Sequence, residues 1–317
     1  MSKNLQVAPV KIVEHVPLAE HCNYRIGGPA RYFCDATNED EIRAAISFAR
    51  EKRVPIFILG SGTNLLFADE GFPGLVLKPN LTQLALQGGI AEVGAGALVS
   101  DLLNFMVAHS LSGLEWSGGL PGTVGGAVRG NAGAFKGEIK DRIVSVDSLC
   151  VDTLEKISRD NAACRFAYRS SIFKEKGEKE IILSAKIRME KGEPEKIAAG
   201  IQEKINYRLQ RHPMEFPNTG STFKNVDLNF VPVKFREGFA KVIKLDPFPV
   251  IPTAFLITEA GLKGTRQGGA MVSTKHANFI INADHAKAAD VKALIAIVKQ
   301  RVFEKFEIRL EEEIQIV

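Results

Sequence analysis

The stretch "SGGLPGTVGGAVRGNAGAFKGE", residues 117–138, carries the strongest information about the fold of this chain. Glycine recurs through it and charged side chains are few. Glycine loses much conformational entropy on folding and is a poor interior residue for a helix or a strand. Such a stretch therefore indicates backbone that must come close to something, either a neighbouring strand or a phosphate-bearing ligand.

Two more glycine clusters precede it, "GSGTN" at 60–64 and "VGAGAL" at 93–98. Neither fits the dinucleotide fingerprint, because Leu65 and Val99 stand where a third glycine belongs. The long stretch lacks the lysine of a phosphate loop, since Asn131 and Ala132 follow its glycine spacing. Each cluster alone is typical of a structural turn. Together, three loops of unhindered amides could surround a diphosphate such as that of FAD.

Composition excludes several classes of protein. A chain of 317 residues with 45% apolar residues predicts two or three globular domains. The net charge of +4 is mild and decides little, but no lysine or arginine block marks a nucleic-acid tail, so we expect no nucleic acid as a partner. No apolar run reaches the ~20 residues of a membrane span, and the N-terminus lacks the apolar core of a signal peptide. We expect a cytoplasmic monomer that contacts no membrane.

The cysteines do not suggest a metal site or disulfides. They are widely spaced, form no Cys-x-x-Cys pair and have no histidine at metal-ligand spacing. Their positions are Cys22, Cys34, Cys150 and Cys164. A reducing compartment and no metal are the expectations.

Periodicity predicts several elements. Residues 28–59 indicate strand, helix, strand, with Thr37 or Asn38 as the helix cap. A helix is predicted over 193–213, a last helix over about 286–306 with Asp284 as its cap, and a closing strand over 307–317. The predicted apolar stripes are Ile42, Ala45, Ile46 and Ala49 in the first helix, and Val291, Leu294, Ile295, Val298 and Val302 in the last.

Polar side chains at four places in the sequence are candidates for chemistry. Tyr168 and Arg169 are adjacent, either as a core tyrosine beside a surface arginine or as an arginine fork that grips a carboxylate. Ser221 follows a glycine without forming a hydrolase elbow, and His276 is more typical of a structural histidine. If the chain ends in a strand, Glu311 and Glu313 share one face.

A set of motifs in a fixed order resembles one family. The motifs are "NYRIGGPARYF", "LGSGTNLLF", "GLEWSGGLPGTVGGAVRGNAGAFKGE", "FAYRSSIF", "PNTGSTFKN", "GLKGTRQGGAMVSTKHANFIIN" and "LEEEI". Over roughly residues 20–315 they resemble the MurB family of UDP-N-acetylenolpyruvoylglucosamine reductases, flavoenzymes of peptidoglycan precursor synthesis. The resemblance thereby implies a role in cell wall biogenesis, cell shape and cell division.

The resemblance implies an α+β fold. A two-part FAD-binding fold of the vanillyl-alcohol-oxidase type would be followed by a C-terminal α+β substrate-binding domain. The expected limits are 1–80 and 81–207 for the two FAD-binding subdomains, with strand 307–317 returning to the second, and 208–306 for the substrate domain.

The implied reaction uses FAD and NADPH. NADPH would reduce FAD, and the enolpyruvyl ether of UDP-N-acetylenolpyruvoylglucosamine would take a hydride at C3 and a proton at C2 to give UDP-N-acetylmuramate. By the resemblance, Arg169 and Glu313 polarise the substrate carboxylate, an oxyanion-type task, and Ser221 donates the proton.

Binding residues are implied in the same way. Tyr168, Arg211 and Asn225 would hold the nucleotide diphosphate and sugar. The residues expected to bind FAD lie in two of the glycine clusters: Gly60, Ser61, Gly62, Thr63, Asn64, Gly118, Pro121, Gly122, Thr123, Gly125, Gly126, Ala127, Asn131 and Gly133.

The chain also departs from the family pattern. Val226 follows Asn225 where proline is usual, Gln315 replaces a frequent arginine, and residues 226–254 match nothing clearly. The interval from Tyr168 to Ser221 resembles the shorter family form that lacks an extra tyrosine loop. Two alternatives stay open: an FAD-dependent oxidase or dehydrogenase of a carbohydrate or alcohol, and a nucleotide-sugar binder without a cofactor.

Overall fold

The computed structural model describes residues 10–175 and 179–317. Residues 1–9 of the predicted first subdomain and 176–178 of the second lie outside this description. The α-helices are α1 (Glu39–Lys52), α2 (Val99–Ala108), α3 (Val124–Arg129), α4 (Pro194–Arg211), α5 (Val233–Phe239), α6 (Thr253–Glu259) and α7 (Ala288–Phe306).

Most of the strands are short. In chain order they are β1 (Val13–Pro17), β2 (Pro29–Ala36), β3 (Ile56–Ile58), β4 (Leu65–Leu66), β5 (Phe72–Pro79), β6 (Leu84–Gln87), β7 (Ile90–Gly94), β8 (Leu111–Ser112), β9 (Gly133–Ala134), β10 (Gly137–Glu138), β11 (Ile143–Cys150), β12 (Lys156–Asp160), β13 (Glu180–Arg188), β14 (Glu190–Lys191), β15 (Val226–Asp227), β16 (Val250–Ile251), β17 (Arg266–Gln267), β18 (Ala270–Val272), β19 (Ile280–Asn282) and β20 (Gln315–Ile316).

The chain divides into two compact units, each built from separate stretches. The first holds the described residues up to Val16 together with Ala30–Ser61 and Phe72–Asn206. The second holds Pro17–Pro29, Gly62–Gly71 and Tyr207–Val317. The limits expected from the sequence for two FAD-binding subdomains and a substrate domain stay a prediction.

The first unit contains two main sheets. One has the order β1-β2-β5-β3, with β2, β5 and β3 parallel, and the other has the order β12-β11-β13-β7-β6 with antiparallel neighbours. Helix α1 buries its apolar face in one core with β2 and β5 of the first sheet and with β11 and β13 of the second. Helices α2 and α3 share the other core with β7, β11 and β13.

The sequence prediction for α1 is confirmed. The Asn38 side chain accepts a hydrogen bond from the Glu41 amide at 2.9 Å, and the four predicted stripe residues are all buried. Full burial of an isoleucine such as Ile42 or Ile46 stabilises the fold by roughly 1.5–3 kcal/mol. Local spacing was sufficient here because cap and stripe both lie within the helix itself.

The second unit surrounds α7, whose predicted stripe is also buried. Its predicted cap is wrong, because the helix begins at Ala288 and not near Asp284. The Asp69 carboxylate accepts instead from the amides of Ala288 at 2.8 Å and Ala289 at 3.1 Å. An acceptor 219 residues away in sequence therefore satisfies the first turn, which local sequence does not reveal.

The closing strand also differs from the expectation. Only Gln315–Ile316 forms a strand, β20, and it pairs in parallel with β4 at Leu65–Leu66. The sequence instead predicts that a strand over 307–317 joins the subdomain at 81–207. Strand pairing is set by tertiary neighbours, and the end of the chain lies against a segment of the second unit.

A ring cluster in the second unit holds two partly buried histidines. The ring centroids of His212 and His276 lie 5.4 Å apart, and both rings contact Phe279 at 4.9 and 4.8 Å. Burial lowers the pKa of His212 to about 4, with His276 and Arg208 adding to the effect. Burial likewise lowers the pKa of His276 to about 4, and Lys244 contributes.

The Asp69 cap can be tested by substitution. We expect Asp69→Ala to lower the free energy of unfolding by about 1 kcal/mol, because two amides at the start of α7 lose their acceptor. Asp284→Ala is the matched control, since it removes another exposed carboxylate that precedes the same helix. Urea denaturation measures both; equal losses would contradict the assignment of the cap.

The two histidines predict a dependence of stability on pH. Their folded-state pKa values lie below the unfolded value near 6.5, so the unfolded chain binds more protons between those values. The contribution of the two histidines to stability should be fully present above about pH 6.5. The free energy of unfolding should fall by at least about 1 kcal/mol between about pH 7 and about pH 5.

Denaturation at several pH values measures this effect. The double variant His212→Leu/His276→Leu should lose much of the dependence, and His285→Gln, at an exposed position, should keep it. A dependence that is the same in all three proteins would show that other groups cause it.

Candidate active site

The glycine-rich stretch forms a short helix followed by a hairpin. Helix α3 begins after Thr123, whose hydroxyl accepts from the Gly126 amide at 3.2 Å. Strands β9 and β10 pair Ala134 with Gly137 across a two-residue turn. Both turn residues, Phe135 and Lys136, have positive φ (52° and 67°), as a primed hairpin turn requires.

The glycines of the two clusters lie in two different kinds of surroundings. A Cβ on Gly125 would lie 2.8 Å from the Cβ of Ala95, and one on Gly60 would lie 2.9 Å from Thr123 Oγ1. These two positions are filled by protein, as the structural interpretation of the glycines requires. Gly126 is exposed, and a Cβ there would meet no atom nearer than 3.4 Å. Its backbone is open to a ligand.

Ser61 has an unmet hydrogen-bonding requirement. Its hydroxyl oxygen is buried and finds no hydrogen-bond partner among the described residues. A buried polar group without a partner costs about 1–3 kcal/mol. Because Gly60 approaches Thr123 so closely, this hydroxyl belongs to the same part of the first unit as α3. The group fits a ligand that supplies an acceptor or a donor.

The rest of the "GSGTN" loop belongs to the second unit. Gly62 has φ +66° and lies against the His21 carbonyl. The Asn64 side-chain amide donates to the Glu313 carbonyl at 3.1 Å, and the Asn64 carbonyl accepts from the Gln315 amide at 3.0 Å. Asn64 was expected to bind FAD; in the structure it holds the chain on both sides of Ile314.

Asn131 connects the glycine-rich segment to the loop that carries Arg169. It is fully buried, and its amide donates to the Ala167 carbonyl at 3.0 Å while its oxygen accepts from the Lys140 amide at 3.3 Å. The Ser171 hydroxyl donates to the Arg129 carbonyl at 2.7 Å. These bonds fix the two loops to each other within the first unit.

Tyr168 and Arg169 occupy a tight turn. Ala167 and Ser170 exchange both backbone hydrogen bonds, at 3.0 and 3.1 Å, and Arg169 has a left-handed φ of 55°. This conformation costs roughly 1–2 kcal/mol for a residue other than glycine and is enriched at functional sites. The guanidinium donates to the Gly133 carbonyl at 2.9 Å and lies 5.1 Å from the Tyr168 ring centroid.

Ser221 and Glu313 are brought close together in the second unit. The Glu313 amide donates to the carbonyl of Thr222, the residue after Ser221, at 2.8 Å. Phe223 and Glu312 form an antiparallel bridge beside it. Both candidate residues are partly exposed, so both side chains are accessible.

The expectation for Glu311 depended on a longer closing strand. Its carboxylate is exposed and forms an ion pair with Lys224. Glu311 is therefore a surface residue, and Glu313 is the more buried member of the pair.

The expected substrate residues are less closely linked. The Asn225 side-chain oxygen accepts from the Thr253 amide at 3.2 Å. Arg211 is exposed at the end of α4, with its guanidinium 4.6 Å from the Tyr207 ring centroid. Sequence reasoning had named neither Thr253 nor Tyr207.

Sequence reasoning also missed Asn278. This buried side chain accepts from the Phe223 amide at 3.1 Å and donates to the Phe223 carbonyl at 2.8 Å, so it fixes the segment two residues after Ser221. It lies in the quoted "KHANF" motif, which was the available signal. Within the described part of the chain, no cluster of three or more His, Cys, Asp or Glu side chains could hold a metal ion.

Comparisons with known proteins agree with this organisation. Residues 30–153 match an FAD binding domain, and residues 212–317 match the C-terminal domain of UDP-N-acetylenolpyruvoylglucosamine reductase. The chain is 36% identical over 308 residues to the reductase of that name from Caldanaerobacter subterraneus subsp. tengcongensis, covering 97% of this chain and 94% of that protein. It is 39% identical over 308 residues to that of Carboxydothermus hydrogenoformans, covering 96% and 93%.

A solved structure extends the likeness to three dimensions. The MurB reductase of Thermus caldophilus aligns with a TM-score of 0.74 at 30% identity, over 97% of this chain and 98% of that chain. These matches confirm the predicted fold class, an α+β FAD-binding fold followed by a C-terminal reductase domain. The chain belongs to the family of UDP-N-acetylenolpyruvoylglucosamine reductases.

Proposed function

We propose that this protein reduces UDP-N-acetylenolpyruvoylglucosamine to UDP-N-acetylmuramate with FAD and NADPH, for peptidoglycan precursor synthesis. Family membership over nearly the whole chain supports the reaction. The hydrogen bond from the Glu313 amide to the Thr222 carbonyl supports the reaction most directly. This bond holds Ser221, the proposed proton donor, and Glu313, the proposed ligand of the substrate carboxylate, on neighbouring segments.

The first unit has groups suited to FAD. The buried Ser61 hydroxyl lacks a partner among the described residues, and the backbone at Gly126 is unobstructed. Both would serve a diphosphate, together with the other residues expected in the glycine clusters. When bound, FAD supplies hydride chemistry, taking a hydride from NADPH and delivering it to C3 of the enolpyruvyl group.

Arg169 and Glu313 bind the substrate carboxylate in this proposal. Charge builds up on that carboxylate as the hydride arrives at C3, and a fixed guanidinium stabilises it. The tight turn and the bond to Gly133 hold Arg169 in one orientation before substrate arrives, so little reorganisation is needed.

Ser221 donates the proton to C2. A hydroxyl is a weak acid and works only when it is well placed against a strongly basic carbon. The hydrogen bonds of Asn278 to Phe223 and of Thr222 to Ile280 fix the backbone just after Ser221. Gly220 precedes it with φ +78°, which sets the direction of the turn.

The remaining roles follow the same resemblance. Tyr168, Arg211 and Asn225 contact the nucleotide diphosphate and sugar. We propose that the protein acts as a monomer in the cytoplasm; its cysteines are free thiols, as a reducing compartment favours. None of the described helices is long and apolar enough to cross a membrane.

The visible spectrum of the purified protein tests the function. We expect flavin absorbance that NADPH bleaches without oxygen and that UDP-N-acetylenolpyruvoylglucosamine restores. A colourless protein would indicate a binder without a cofactor. Reoxidation by oxygen together with turnover of a carbohydrate or alcohol, and none by the enolpyruvyl substrate, would indicate an oxidase or dehydrogenase.

Ser221→Ala should separate the two half-reactions. Flavin reduction by NADPH should be unchanged, while reoxidation by substrate should slow by about 10²–10⁴-fold, because the proton donor is lost. Stopped-flow absorbance measures both rates. Ser47→Ala, at an exposed position on α1, is the control and should change neither rate. Equal slowing of both half-reactions by Ser221→Ala would contradict its role.

A further inference from the structure

Arg129 carries a charge that no residue in the described part of the chain balances. The residue is partly buried and lies at the end of α3. Among the described residues, its guanidinium has no hydrogen bond, ion pair or ring contact, whereas its backbone carbonyl accepts from the Ser171 hydroxyl. Burial lowers the pKa of the Arg129 guanidinium below its ordinary value. Removing a cation from water without a counter-charge is costly, so a ligand is the expected source of the anion.

Hydrogen bonds connect the backbone around Arg129 to the loop proposed to bind the substrate carboxylate. Arg129 lies three residues after Gly126, whose open backbone is expected to contact FAD. Its carbonyl accepts from Ser171, in the loop that carries Arg169, and the Arg169 guanidinium bonds to Gly133 on the same glycine-rich segment. Arg129 is thus joined to the loop assigned to the substrate carboxylate.

We propose that Arg129 balances the negative charge that the flavin ring carries when it is reduced. This inference rests on the proposed flavin site. Arg169 already serves the substrate carboxylate there, and substrate leaves in each turnover, whereas the cofactor stays bound and gains charge on reduction. A cation near the ring stabilises the reduced form and raises the reduction potential, one of the means by which a protein tunes a cofactor.

The reduction potential of the holoenzyme tests the inference. Arg129→Gln should lower the equilibrium constant for flavin reduction at least tenfold, a shift of about 30 mV for a two-electron couple. Arg129→Lys keeps the charge and should recover most of the potential. Arg165→Gln is the control, because Arg165 is an exposed arginine of the same unit that forms an ion pair with Glu175. The reduction potential of this variant should equal that of the unaltered protein.

Measurements of the potential, the FAD content and the reoxidation rate of Arg129→Gln distinguish the other ligands that could supply the anion. An unchanged potential with loss of FAD would assign Arg129 to the cofactor diphosphate. An unchanged potential with slower reoxidation by substrate would assign it to the carboxylate, and no change in any property would make it structural. Each of these results would overturn the inference while the proposed reaction stands. A protein that binds no flavin would overturn both.

A measurement on the unaltered holoenzyme does not depend on how the variants fold. If Arg129 stabilises an anionic reduced ring, reduction near neutral pH takes up one proton for two electrons. The pH dependence of the potential gives this number. Uptake of two protons at neutral pH would mean a neutral reduced ring and would overturn the inference.

Discussion

The second unit depends on how the last residues of the chain are attached to two distant segments. The Glu313 amide bonds to Thr222 and its carbonyl accepts from the Asn64 side chain, which is 249 residues away in sequence. The parallel pairing of β20 with β4 continues this attachment. Without it, Glu313 would lie in a free tail, and ordering such a tail costs roughly 1–2 kcal/mol per residue. The attachment therefore places the carboxylate in advance beside the segment of Ser221.

One glycine-rich segment of the first unit contains both closely packed backbone and open backbone. Gly125 has no side chain because Ala95 occupies that space, which is a packing requirement. Gly126, the next residue, lies open and leaves its amide region accessible. The structural explanation of a glycine cluster therefore holds at Gly125, while the ligand-binding explanation at Gly126 stays a prediction. This division explains why the composition of the segment alone left both alternatives open.

Two polar side chains of the first unit lack a partner among the described residues and lie in segments that we propose bind the flavin. Ser61 in the first unit has a buried hydroxyl with no partner in the described chain, and the Arg129 guanidinium has no counter-charge there. Asn131 and Asn278, in contrast, satisfy both ends of their amides and fix backbone. Satisfied amides thus act as structural clamps, and the unsatisfied groups suggest where ligands bind.

Local spacing and the ordered motifs were enough to predict helix α1 and to recognise the family. The cap and stripe of α1 were predictable because a helix repeats every 3.6 residues and Asn38 acts on its own first turn. The ordered motifs identified the family and the candidate residues, whose roles remain predictions. The cap of α7 at Asp69, the pairing of β20 and the clamp at Asn64 depend on the folded chain and could not be predicted. Each of these joins residues far apart in the chain, and periodicity carries no information about such contacts.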